Sequence, residues 1–168
     1  MNAVAYCLLH GLKVAGAAHP ALLSAGETLS YGALAERVSQ FAAGLSEAGV
    51  RPGDRVGMLM LDTPDLIAMH LAAMAAGGIA CAISSRASAE ELPQILAIVR
   101  PAAVVVDEEF SELAAGAIKS ASLQSRLLHR QRDLAAWKAK PAAALDPVPR
   151  GLDDPAFWVM TSGTTGTP

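Results

Sequence analysis

Three short apolar runs at even spacing restrict the fold of this chain more than any other feature of its sequence. They cover residues 55–61, 79–83 and 102–106, and each is bounded by turn residues. Segments of helical length lie between them. Asp62 or Thr63 can cap the first, with Pro64 at its opening position, and Gly77-Gly78 stops it near Ala76. The second spans residues 88–99. It carries Glu90 and Glu91 at its positive end, tolerates Pro93 in its first turn and stops before Pro101. Strands alternating with helices predict parallel βαβ units. Runs that are apolar throughout predict a sheet covered on both faces. The expected fold class is therefore α/β: a parallel sheet with helices on both faces.

The flanking segments are read in the same way. Residues 20–23 and 28–31 enclose the small polar stretch Ser24-Ala25-Gly26-Glu27, which predicts a hairpin. Residues 31–48 predict a helix, with Leu34, Val38, Phe41, Ala42 and Leu45 at helical spacing and Gly49 as its stop. Arg51-Pro52-Gly53-Asp54 is a turn. Residues 110–128 are helical in places. Arg126, His129, Arg130 and Arg132 read as a solvated charged face. Residues 138–152, with Pro141, Pro147 and Pro149, read as an internal linker, and residues 156–160 as a last apolar strand. Met58, Met60, Met69 and Met74 are expected in the core, and His70 as a packed, hydrogen-bonded core histidine. Asp107, Glu108 and Glu109 are expected to open a helix. Trp158 is expected to anchor the last strand and Trp137 to be partly exposed.

Composition excludes several classes. The balance of 13 basic and 16 acidic side chains, net charge −3, gives no reason to expect nucleic acid or an anionic membrane as partner. With 52% hydrophobic residues the chain is not disordered. Residues 66–85 lack charge and approach the length of a membrane span. His70, Gly77-Gly78 and the many alanines argue instead for a buried helix followed by a buried strand. Cys7 and Cys81 are too few for a disulfide scaffold or a cysteine zinc site, which fits a reducing, cytoplasmic setting. His10, His19 and His129 are too scattered for a metal centre.

The chemistry concentrates after the last strand, in Thr161-Ser-Gly-Thr-Thr-Gly-Thr-Pro168. Glycine lets backbone approach a bulky anion, successive amides can converge on one oxygen cluster, and the hydroxyls add donors. The spacing matches neither a Walker A loop nor the dinucleotide fingerprint. Composition alone also suits an inert Ser/Gly/Thr tail. Its position after a strand favours phosphate, because such ligands sit outside the carboxyl ends of parallel strands.

This stretch closely resembles the signature loop of the adenylate-forming superfamily, which groups acyl-CoA synthetases, luciferases and peptide-synthetase adenylation domains. Three further stretches agree in order and spacing. Thr28-Leu-Ser-Tyr-Gly-Ala-Leu34 is similar to an early family element, Gly49-Val-Arg-Pro-Gly-Asp-Arg-Val56 to a "GVxPGDRV" segment, and Met74-Ala-Ala-Gly-Gly78 to a "LKAGA" segment. Asp153-Asp-Pro-Ala-Phe-Trp158 and Asn2-Ala-Val-Ala-Tyr6 resemble the benzoate and other aryl-CoA ligases. Cys81-Ala-Ile-Ser-Ser-Arg86 departs from the family by lacking a proline.

The resemblance implies a carboxylic acid activated with ATP as an acyl-adenylate and passed to coenzyme A. It implies that Thr161, Ser162, Gly163, Thr164, Thr165, Gly166 and Thr167 hold the β- and γ-phosphates, with Thr164 or Thr165 a candidate magnesium ligand. Residues 1–168 are then expected to be the N-terminal portion of the adenylation domain, ending at its phosphate loop. Such a piece holds no catalytic residue of its own, is expected to be inactive alone, and leaves uncovered strand edges that favour self-association. Two alternatives remain open: an amino-acid-activating domain and a non-catalytic nucleotide-binding or interaction module. A Rossmann dehydrogenase is discounted, because Leu61-Asp-Thr-Pro64 supplies no glycine fingerprint.

Overall fold

The computed structural model describes residues 2–160. The loop residues Thr161–Thr167 singled out from the sequence lie outside the described residues.

A widened helical stretch, Ala5–Leu9, runs into α1 (His10–Ala15). It buries Val4 and Leu8, a helix that the apolar N-terminus did not announce. The hairpin forms as expected from β1 (Pro20–Leu23) and β2 (Thr28–Ser30), closed by Ser24 and Glu27. Helix α2 (Tyr31–Glu47) begins where the Ser30 hydroxyl accepts the Ala33 amide at 3.2 Å. It buries Leu34, Val38, Phe41 and Leu45, and ends before Gly49 at φ +92°.

The core sheet follows the predicted cadence. β3 (Arg55–Leu59), α3 (Pro64–Ala75), β4 (Ile79–Ala82), α4 (Glu91–Val99) and β5 (Ala103–Val106) form in order. At the start of α4, Ser88 and Glu91 exchange backbone-to-side-chain hydrogen bonds at 2.9 and 3.2 Å. At its end, the Arg55 guanidinium donates to the Val99 and Arg100 carbonyls, where Arg100 turns left-handed. Then come α5 (Ser111–Ser120), β6 (Arg126–His129), α6 (Ala135–Lys138) and β7 (Phe157–Trp158).

The sheet order is β6-β5-β3-β4-β7, with every pairing parallel. Successive residues face opposite sides. Val56, Met58, Ala80, Ala103, Val105 and Leu128 pack with α2, α3 and α6. Leu59, Ile79, Cys81, Val104 and Val106 pack with α4 and α5. Both faces are covered, and the four methionines at 58, 60, 69 and 74 are buried as expected.

Three readings are corrected, and one is refined. Residues 126–129 are an edge strand parallel to β5, not a solvated face, and Arg130 beyond them is held in an ion pair. Trp137 is buried: it stands edge-on to Phe41 at 6.3 Å, and its ring fills the space where a Cβ on Gly44 would lie. Asp107, Glu108 and Glu109 open the helical turn that leads into α5, as expected, and the Asp107 side chain is fully buried without capping it. The last strand is two exposed residues at the sheet's edge rather than a buried member.

Residues 141–150 carry no regular secondary structure but are fastened along α2 and α3. Ser39 donates to the Ala143 carbonyl and the Val148 amide to Ala75, both at 2.8 Å. Buried Asn2 donates to Met74 and Val148 at 2.7 and 2.8 Å. Among the described residues no helix is long and apolar enough to cross a membrane.

Candidate functional site

Five parallel strands direct their carboxyl ends the same way, and the polar chemistry gathers there. In open α/β sheets ligands bind at that edge, near the point where strand order reverses. Here the chain steps from β3 to β4 on one side, then crosses back to β5 on the other.

An open groove of about 550 Å³ lies at the carboxyl ends of β3, β4 and β7. Met58, Met60, Leu66 and His70 line its apolar part, and Ser84, Ser85, Arg86 and Asp62 its polar part. Val159 and Met160, the last two described residues, line it too. A ligand pocket of this size is ordinary. His70 is half-buried at this wall rather than enclosed in the core, with the Phe157 ring tilted 5.7 Å away. Burial pushes its imidazole pKa below the ordinary 6.5. Cys81, beneath the sheet next to β7, is buried, and its thiol is pushed up to about 11 by burial.

Beside the groove, an ionic cluster fixes the turn that forms part of its wall. Asp107, at the end of β5, accepts the Leu61 amide at 2.7 Å and pairs with Arg130 through its other oxygen. Gln131 donates to that same oxygen at 3.3 Å. Asp65, in the first turn of α3, takes Arg37 at 3.1 Å and Lys138 at 2.9 Å, with Arg130 at 3.8 Å. Arg37 also holds Glu27 at 2.6 Å and, by that bond, lowers its carboxyl pKa. Three carboxylates thus balance three cations from α2, α6 and the segment after β6. Sequence reasoning missed this cluster. Its one visible signal was an aspartate directly after four apolar strand residues, a position that is buried and must find partners.

The structure brings β7 and the groove together at the threshold of the predicted phosphate loop. It does not bring histidines, cysteines or acids into a metal-binding group among the described residues.

Comparison with known proteins agrees with this geometry. The AMP-binding enzyme family matches residues 13–168. The 3-hydroxybenzoate–CoA ligase of Aromatoleum sp. (strain CIB) is 29% identical over 155 residues, covering 89% of this chain and 30% of that protein. Feruloyl-CoA synthase of Amycolatopsis sp. is 33% identical over 150 residues, covering 85% and 28%. Among solved structures, a benzoate CoA ligase from Burkholderia xenovorans LB400 superposes with a TM-score of 0.83 at 25% identity, over 95% of this chain and 32% of that one. The chain therefore spans less than a third of the length of these curated relatives.

Proposed function

This chain belongs to the AMP-binding enzyme family, and on that premise we propose that it supplies the phosphate-gripping end of an ATP-dependent acid–CoA ligase acting on an aromatic carboxylic acid. The observation that carries the reading is the placement of Val159 and Met160 on the wall of the groove at the carboxyl edge of a parallel sheet, directly before Thr161.

In the proposed reaction a carboxylate oxygen attacks the α-phosphorus of ATP and pyrophosphate leaves. The coenzyme A thiol, giving up its proton, then attacks the acyl carbon and AMP leaves. Ser162, Thr164 and Thr165 would donate to the β- and γ-phosphates, and Gly163 and Gly166 would let the backbone close around them. Magnesium, held with Thr164 or Thr165, would offset the phosphate charge. The donor set fits a polyphosphate: hydroxyls and amides in the loop, with Ser84, Ser85 and Arg86 lining the adjoining groove. The names of the two relatives and of the solved benzoate ligase support an aryl acid and coenzyme A as substrates. The 168 residues alone are proposed to be inactive, since no catalytic residue is assigned to them.

Acid-dependent ATP–pyrophosphate exchange tests this. The protein containing this chain together with the region that relatives carry beyond it is expected to exchange with benzoates or cinnamates and to release an aryl-CoA. The 168-residue chain alone is expected to stay at background. Exchange driven only by amino acids, with no CoA thioester, would overturn the aryl-ligase reading in favour of an amino-acid-activating domain.

A further inference from the structure

The carboxylate that closes the end of β5 stands where open α/β sheets ordinarily receive a ligand. Such sheets bind at the switch point, between two neighbouring strands whose following helices lie on opposite faces. Here those strands are β3 and β5. Helix α3, after β3, packs on one face through Ala68, Met69 and Ala72. Helix α5, after β5, packs on the other through Ala114 and Ala117. Asp107 sits in the crevice between their carboxyl ends. Three donors converge on its carboxylate: the Leu61 amide at 2.7 Å, the Arg130 guanidinium, and the Gln131 side-chain amide at 3.3 Å. Such a set of donors suits a small anion, and the chain fills it with a side chain of its own. The described residues by themselves bury Asp107 completely.

The backbone around Asp107 gives that side chain a second task. The β3–β5 ladder ends with the Asp107 amide donating to the Leu59 carbonyl at 3.3 Å. In a regular parallel ladder the Asp107 carbonyl would accept the Leu61 amide next. That carbonyl instead accepts the Phe110 amide at 2.9 Å and opens the helical turn before α5. The carboxylate takes over the ladder bond. The chain leaving β3 thus stays fastened to β5 as far as Leu61, although β5 has already turned away. Met60 and Asp62, on either side of Leu61, line the groove. We propose that Asp107 is a positioning residue for that groove. Its carboxylate closes the crevice between β3 and β5 and, through the Leu61 amide, sets Met60 and Asp62, so that the phosphates of ATP are received on the β4 side. The effect on ATP rests on the function proposed above; the closure of the crevice does not.

Formate, the deleted carboxylate as a free ion, tests the closure. In the 168-residue chain, Asp107→Ala is expected to melt about 3 °C higher in formate than in chloride at equal ionic strength, and the parent chain at one temperature in both. Kinetics test the positioning, in the protein that contains this chain together with the region relatives carry beyond it. Asp107→Ala is expected to raise the KM for ATP in aryl-CoA formation about tenfold, with kcat within about twofold, and formate to reverse most of the rise. Asp107→Asn keeps an acceptor for the Leu61 amide. Arg55→Met gives up the bonds to Val99 and Arg100 at the opposite end of β3. Both are expected to lose stability yet stay within about twofold of the parent KM. An alanine variant indifferent to formate overturns the closure. A KM rise that Arg55→Met shares overturns the positioning, because it follows stability alone. If the alanine variant does not fold, the asparagine variant decides, and a KM raised about tenfold there overturns the proposal. A parent protein that forms no aryl-CoA overturns the function proposed above and the effect on ATP with it, while the formate comparison still decides the closure.

Discussion

The Asp107 carboxylate lies 2.7 Å from the Leu61 amide and so ties the end of β5 to the turn that leaves β3. Its other oxygen takes Arg130, which reaches on toward Asp65 in α3. One fully buried carboxylate thereby sets the positions of the β3–α3 turn and of the chain after β6.

Removing that carboxylate strands its partners. Asp107→Ala leaves the Leu61 amide unsatisfied and the Arg130 guanidinium half-paired. The expected loss is about 3 kcal/mol, typical of breaking a buried pair from one side. Asp107→Asn keeps an acceptor for Leu61 and should lose less. Urea unfolding midpoints of the two variants check the order, and a loss under about 1 kcal/mol for alanine would contradict the account.

Gly44 faces the Trp137 indole so closely that a Cβ placed there falls 2.1 Å from the ring. Gly44→Ala must push the indole outward. The expected destabilisation is about 2 kcal/mol, in line with overpacking, together with a red shift of the Trp137 emission. An unshifted spectrum with unchanged stability would mean that the ring has room the structure denies it.

His70 links stability to pH. Its folded pKa is depressed by burial below 6.5, so between the folded value and 6.5 the unfolded chain holds more protons. Stability is undiminished above about pH 6.5 and declines as the pH falls through the folded pKa. His70→Gln is expected to flatten that decline between about pH 7 and about pH 5. Parallel curves for the two proteins would remove His70 from the explanation.

The two cysteines should react differently. Cys7 is exposed, whereas Cys81 is buried with its thiol pushed up to about 11. Near pH 8 Cys81 is protonated and shielded, so one thiol per native chain should react with a disulfide reagent and two after denaturation. Prompt reaction of both in the native state would indicate that β4 and β7 separate readily.

Much of this architecture was legible in advance because the strands buried on both faces are almost wholly apolar, and because caps and glycines mark the boundaries of the helices. Tyr31 to Glu47 and Pro64 to Ala75 are examples, with Ser30, Gly49, Pro64 and Gly77 as punctuation. What stayed hidden depends on tertiary partners. Arg126 to His129 reads as surface because an edge strand carries charge to protect its rim. Trp137 reads as exposed because its cover comes from α2, far away in sequence. Asp107 does open the turn before α5, as it reads, but its burial stayed hidden because its neutralising guanidinium follows a later strand. The groove was foreseen only as a place, from the loop's position after a strand; its lining from His70 and Arg86 needed the fold.

The strand order also has a kinetic meaning. β6 and β7 occupy opposite margins of the sheet, so the chain between them must traverse its full width before β7 can seat on β4. That closure joins residues distant in sequence and carries a large entropic debt. Among the described strands, β7 is therefore expected to find its berth after β3, β4 and β5 have already assembled into a scaffold.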